Sequence, residues 1–241
     1  MIVAGPSFSG KTWFILNFIS QSDQIFDISP QTVYWIYGRE TAIHDSLTKR
    51  NYNMIRGLPT KFDFITPNSI VVLDDLMMAA KKSEEVSDLF TQIAHHKPCF
   101  IIFVQQNLLY QAKESRNRHL NAQYLVIFKN PRDKSQIKHL QSQIYPNSGN
   151  FLVSIFEDAT RDPFSYLFLD FHAKTGDLIR ARARILPHEH SELPMVTYID
   201  KMYAETLLAH KKSEGFGREI LMDAPKYHSF RDPTQNPDET F

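Results

Sequence analysis

One cysteine among 241 residues, Cys99, leaves the chain no internal disulfide to form. It stands in the apolar run PCFIIFV and reads as a core residue in a reducing compartment. No apolar run approaches the roughly 18 residues that a membrane span needs, and the first residues lack the form of a signal peptide. Secretion and a membrane span are therefore not expected, and the nucleus or cytoplasm is. Net charge is lacking too, because 27 Lys and Arg balance 27 Asp and Glu. A chain-wide basic field is excluded, so any contact with DNA falls to a local basic surface, if need be one assembled from several subunits. A hydrophobic content of 42% in a chain of this length suffices for one well-cored domain with appendages.

What is present begins at residue 5. GPSFSGKT places Gly5, Pro6, Ser7, Phe8, Ser9, Gly10, Lys11 and Thr12 in the spacing G-x-x-x-x-G-K-[ST]. Glycine is required where backbone passes close to phosphate oxygens. The loop N–H groups then turn inward, Lys11 reaches the β- and γ-phosphates, and Thr12 offers a hydroxyl to Mg²⁺. Residue usage alone yields the pattern in roughly one chain of this length per hundred, so context decides. MIVA before the loop suits a short buried strand. TWFILNFISQ after it is apolar at helix-compatible positions, Trp13, Leu16 and Ile19, with Phe14 and Phe18 alongside.

Downstream, TVYWIY (32–37), SIVVLDD (69–75), FIIFVQQ (100–106) and QYLVIF (123–128) are nearly continuous apolar runs, as in strands buried on both faces. A helical stretch at 84–96 lies between two of them. Strand alternating with helix predicts an α/β fold with a mostly parallel sheet flanked by helices. Further on, the pattern predicts helices over 131–145, entered through Pro131, and 150–160, then a strand over 166–171. LIRARARIL (178–186) alternates arginine with small or apolar residues, as a half-exposed strand does. The expected division is a P-loop ATPase domain over 1–190 and a helical or loose tail over 191–241, polar and rich in Pro and charge from about residue 211.

IVVLDD supplies the second half of a nucleotide site. Asp74, ending a buried strand, is placed to hold Mg²⁺, and Asp75 to orient or deprotonate the attacking water. An extra strand between the phosphate-loop strand and the acidic strand, here TVYWIY and its sequel, resembles the RecA-like class of P-loop ATPases. Nucleotide kinases and GTPases typically keep these two strands adjacent. FVQQN ends the next strand, bringing Gln105 or Gln106 near the γ-phosphate. Only one of the two can face it, and Gln105 is the expected sensor.

With GPSFSGKT, IVVLDDLM, HHKPCFIIFVQQNLLYQ and SRNRHLNAQYLVIFKNPRDKSQIKHL in view, the chain resembles the viral genome-packaging ATPases of the FtsK/HerA superfamily. The likeness is greatest to those of Polinton/Maverick and adintovirus-like elements, related to the poxvirus type, and covers roughly residues 1–187. It implies an ATP- and Mg²⁺-dependent ring, hexameric or pentameric, that drives double-stranded DNA into a preformed capsid and works with capsid or portal-vertex proteins. It also implies a site in the host nucleus or cytoplasm, or on the virion. Lys11 and Thr12 match the phosphate and magnesium positions, Asp74 the metal side, Asp75 the catalytic acid and Gln105 the sensor. Relatives often carry HHR where this chain has His95, His96 and Lys97, and lysine lacks the planar fork of arginine. Arg116, with Arg118 behind it, is the expected finger offered to a neighbour's γ-phosphate.

A translocase grips backbone phosphate without reading bases. Candidate contacts are Lys81 and Lys82, Lys129 with Arg132 and Lys134, and the trio Arg180, Arg182 and Arg184. Zinc is not expected at His95-His96 or at HEH (188–190), which lack further ligands at metal spacing. Two other readings compete. One is a P-loop protein whose ATP state switches a protein partner; the other is a small-molecule kinase, disfavoured by the inserted strand and the lack of an arginine-rich lid.

Overall fold

The computed structural model describes residues 1–40, 47–76, 97–108, 121–191 and 194–200. Nine strands form one sheet: β1 (Ile2–Ala4), β2 (Thr32–Tyr37), β3 (Asn53–Arg56), β4 (Ser69–Asp74), β5 (Cys99–Gln105), β6 (Tyr124–Phe128), β7 (Tyr166–Asp170), β8 (Ala181–Ala183) and β9 (Val196–Tyr198). They lie in the order β3-β2-β4-β5-β1-β6-β7-β8-β9. Pairing is parallel from β3 across to β6 and antiparallel from β6 to β9. The mostly parallel α/β sheet expected from the sequence is thus present. The sheet runs past residue 190 through β9, where the sequence suggested a tail.

The four long apolar runs became β2, β4, β5 and β6 because each is covered on both faces. Alternate residues feed two cores. On one side Val3, Trp35, Ile70, Val72, Ile102 and Val126 meet α1 (Lys11–Ser20), whose Phe14, Ile15, Phe18 and Ile19 are buried. Aromatic rings knit this face: Phe14 meets Tyr166 edge-on with centroids 4.8 Å apart, and Phe18 stacks on Phe100 at 5.5 Å. Such pairs contribute about 1 kcal/mol each beyond area burial. On the other side Ile36, Leu73, Phe103, Ile127 and Leu169 pack with α3 (Ser135–Ile144) and α4 (Phe151–Ala159) through Ile137, Leu140, Leu152, Ile155 and Phe156. A short α2 spans Ser22–Ile25.

Several expectations change. The helix predicted from Pro131 starts at Ser135, because the Asp133 carboxylate accepts the Ser135 N–H at 3.1 Å and holds the preceding residues in a turn. The run 178–186 is not a half-exposed strand: it divides into a 3₁₀ turn (Asp177–Ile179) and the three-residue β8, buried throughout. Ala181 and Ala183 join the core. Arg182, 2% exposed, pairs with the equally buried Asp170 and lays its guanidinium over the Phe168 ring at 5.2 Å. Trp13, one of the periodic apolar residues of α1, is half exposed. Among the described residues no helix is long and apolar enough to cross a membrane.

Candidate functional site

Strand order sets the site. β4 is separated from the phosphate-loop strand β1 by β5, whereas Thr32–Tyr37, which precedes β4 in the chain, lies on its far side. The inserted strand is therefore Cys99–Gln105 and not TVYWIY, the strand expected there, because order along the chain does not fix order across the sheet. β5 also anchors the loop, since Ala4 is in register with Gln105 and the Gly5 N–H donates to the Gln105 carbonyl at 3.1 Å.

The loop itself is shaped for a ligand that approaches backbone. A Cβ on Gly5 would lie 2.6 Å from Phe128 Cβ and 2.8 Å from Ser9 Oγ. Gly10, at φ +104°, opens α1 in a left-handed conformation that glycine adopts freely, and its carbonyl accepts the Phe14 N–H at 2.9 Å. Ser9 Oγ is buried without a hydrogen-bond partner. Lys11 Nζ curls back to donate to the Gly5 and Pro6 carbonyls, both at 2.7 Å. Burial lowers the Lys11 pKa, and the carboxylates of Asp74 and then Asp75 act against that. An ammonium held over loop carbonyls, with two acids bordering the same cavity, can exchange those acceptors for phosphate oxygens.

The acids arrive from the end of β4. Lys11, Thr12, Asp74 and Asp75 all line one cavity of about 1050 Å³, so the two sequence motifs meet. Thr12 and Asp74 offer hard oxygen donors on that cavity, a set that fits Mg²⁺ retaining several of its waters. Asp75 has left the strand, at φ +51°. The turn carrying it interlocks with the end of β2: the Gly38 N–H donates to the Asp74 carbonyl at 3.0 Å, and a Cβ on Gly38 would meet the Asp75 carbonyl oxygen at 2.3 Å. Arg39 follows, lines the same cavity and stands 3.8 Å from the Asp75 carboxylate.

Gln105 and Gln106 both border the cavity, on different terms. Gln105 is buried on the side of the sheet that carries Ile101 and Phe103, away from α1, and its Nε2 donates to the Leu108 carbonyl at 3.0 Å. Gln106 is exposed.

Lys97 donates to the Asp63 carbonyl at 2.7 Å. The predicted finger Arg116, with Arg118, His95, His96, Lys81, Lys82 and the helix over 84–96, lies outside the described residues. Of the basic candidates for DNA, Lys129 and Arg132 are exposed, and Lys134 pairs with Glu157 at 3.0 Å. Arg180 pairs with Asp177 at 2.6 Å and bonds the Asp170 carbonyl at 2.7 Å. Arg182 faces no solvent and is corrected from DNA contact to core ion pair. Among the described residues no group of three His, Cys, Asp or Glu forms a metal site.

Residues missed from sequence are Gly38, Arg39, Phe164 and Glu189. Arg39 and Gly38 carry no motif, and only the pairing of β2 with β4 brings YGRE to the acids. Glu189, in the 3₁₀ turn Pro187–Ser191, lines the cavity while its Oε2 accepts the Tyr166 hydroxyl at 2.7 Å and the Leu186 N–H at 3.0 Å.

No family model matches the chain, and no curated protein does. Solved structures do. The genome packaging NTPase B204 of Sulfolobus turreted icosahedral virus 2 in complex with ATP-gammaS aligns at 14% identity and TM-score 0.48, over 72% of this chain and 93% of that one. Its complex with AMP aligns at 13% identity and TM-score 0.47, over the same shares. B204 described as the DNA-packaging ATPase of Sulfolobus Turreted Icosahedral Virus aligns at 12% identity and TM-score 0.48, again over 72% and 93%.

Proposed function

We propose that this chain is an ATP-hydrolysing motor that moves double-stranded DNA, working as a homo-oligomeric ring that packages a viral genome into a capsid. The observation that carries the hydrolytic part is the convergence of Lys11, Thr12, Asp74 and Asp75 on one cavity that Ser7, Phe8 and Gly10 of the loop also line. A turn of ordinary use has no need of two carboxylates on the same cavity. The separation of β1 from β4 by β5 supports a RecA-like motor over a nucleotide kinase. The sequence blocks that resemble packaging ATPases support DNA as the cargo, and capsid or portal-vertex proteins as partners.

The chain's own groups divide the work. Loop N–H groups and Lys11 hold the β- and γ-phosphates, Lys11 giving up its two loop carbonyls to do so. Thr12 and Asp74 would hold Mg²⁺, which would supply charge neutralisation to the phosphates. Asp75, exposed at the cavity, orients water in line with the γ-phosphorus and takes its proton as the water oxygen bonds to phosphorus. The bond from that phosphorus to the bridging oxygen breaks, and ADP leaves. An exposed Gln106 is the amide best presented for sensing the γ-phosphate. A finger from a neighbouring subunit, Arg116 by resemblance, would couple turnover to ring assembly.

ATPase rate with and without duplex DNA, measured beside the mass in solution with a non-hydrolysable nucleotide, tests this. Stimulation several-fold by DNA, together with a ring, is expected. Equal rates and a monomer would favour the partner-switching alternative. Asp75→Asn should bind ATP and fail to turn it over, and lost binding would show that the acids are assigned in the wrong order.

A further inference from the structure

Three of the six large apolar side chains left exposed among the described residues, Phe8, Trp13 and Phe164, border the same cavity. Apolar rings beside a phosphate loop serve no phosphate. We propose that Trp13, with Phe164, forms a stacking seat for the base of the bound nucleotide. The proposal rests on the nucleotide reading above and adds which residues take the base.

Position and bracing carry it. Trp13 immediately follows Thr12, so its ring lies one residue beyond the phosphate loop and within the reach of a single nucleotide. It remains 51% exposed on a helix whose neighbouring Phe14 is fully buried. The ring is also held. His188 meets it edge-on with centroids 5.5 Å apart, and His188 is clasped to Gln21 by a ring-nitrogen contact of 2.7 Å and a backbone N–H to Gln21 Oε1 bond of 2.7 Å. Phe164 comes from the turn before β7 at φ +63°, a conformation that costs a non-glycine residue energy and persists where surroundings enforce it. Its Cβ sits 3.2 Å from where a Cβ on Gly10 would lie, so a Phe ring rises directly beside the loop. An aromatic face accepts every base, and discrimination among nucleoside triphosphates will be weak, with purines favoured by their larger stacking area.

Binding of ATP and of inorganic tripolyphosphate to the full chain separates base from phosphate. Trp13→Ala should weaken ATP by roughly 5- to 150-fold, the range for losing one stacked base, and leave tripolyphosphate unchanged. Trp13→Phe should recover most of the loss. Tryptophan emission gives a second reading, because Trp35 is fully buried and Trp13 is not. ATP should alter the emission, tripolyphosphate should not, and Trp13→Phe should remove the response. A Trp13→Ala protein that loses both ligands equally, or that changes mass in solution with ATP affinity intact, would overturn the base seat. The nucleotide reading fails separately, if Lys11→Ala binds tripolyphosphate as well as the unaltered chain or if neither ligand binds at all.

Discussion

Gly38→Ala is the sharpest probe of how the second acid is held. Gly38 is not in a left-handed conformation, so its own backbone accepts alanine and the perturbation is one added methyl group. That methyl would stand 2.3 Å from the Asp75 carbonyl oxygen, a backbone atom with no rotamer to swing away. Ordinary contact needs about 1 Å more, in the range of overpacking costs of ~1–3 kcal/mol. The Gly38 N–H bond to the Asp74 carbonyl resists separation of the two turns, and Asp75, already at φ +51°, is the part that gives. Displacing a catalytic group by about 1 Å costs roughly 10²-fold in rate. Steady-state phosphate release should therefore fall by about two orders of magnitude in kcat. The midpoint of thermal unfolding should drop by roughly 2–10 °C for a domain of this size. Affinity for a non-hydrolysable ATP analogue should stay within about threefold, because the phosphate loop is untouched. A kcat within twofold of the unaltered protein would refute the idea that this turn places Asp75. A parallel loss of nucleotide affinity would show that the turn supports the loop instead.

Three further outcomes follow from the geometry. Arg182→Ala leaves Asp170 buried and unpaired, so urea denaturation should show a loss of about 3–5 kcal/mol, while the folded protein binds duplex DNA as before. Lys11 is lowered by burial, so without ligand it sheds its proton below its ordinary 10.5, whereas a bound triphosphate favours the charged form. ATP affinity should accordingly fall as pH rises through that alkaline window. Calorimetry in two buffers of different ionisation enthalpy should register proton uptake, and affinity rising with pH would contradict the assignment. Gln106→Ala should lower kcat by tenfold or more in phosphate-release assays, whereas Gln105→Ala should mainly lower the melting temperature. The reverse pattern would restore Gln105 as sensor.

Local signals were legible in the sequence. GPSFSGKT is a conformational instruction written in consecutive residues, and β2, β4, β5 and β6 announce themselves because burial on both faces demands unbroken apolar runs. β3 gave no such signal, being four partly exposed residues at the edge of the sheet. The error over 178–186 has a non-local cause. Arginine at alternate positions looks solvated until Asp170, twelve residues earlier, arrives on the neighbouring strand to neutralise it. The exposure of Trp13 is not legible in its period, since helical spacing places a ring on a face but does not say whether protein or a cavity lies opposite. Arg39 and Gly38 reach the site only through lateral strand order, which periodicity does not encode.

The clasp between Gln21 and His188 ties the far end of the sheet domain to the helix that opens at the phosphate loop. A disturbance of the turn Pro187–Ser191 should therefore reach Trp13 through His188. Gln21→Ala, at the opposite end of α1 from the phosphate loop, should accordingly change Trp13 emission and nucleotide exchange more than an alanine substitution at the β3 edge.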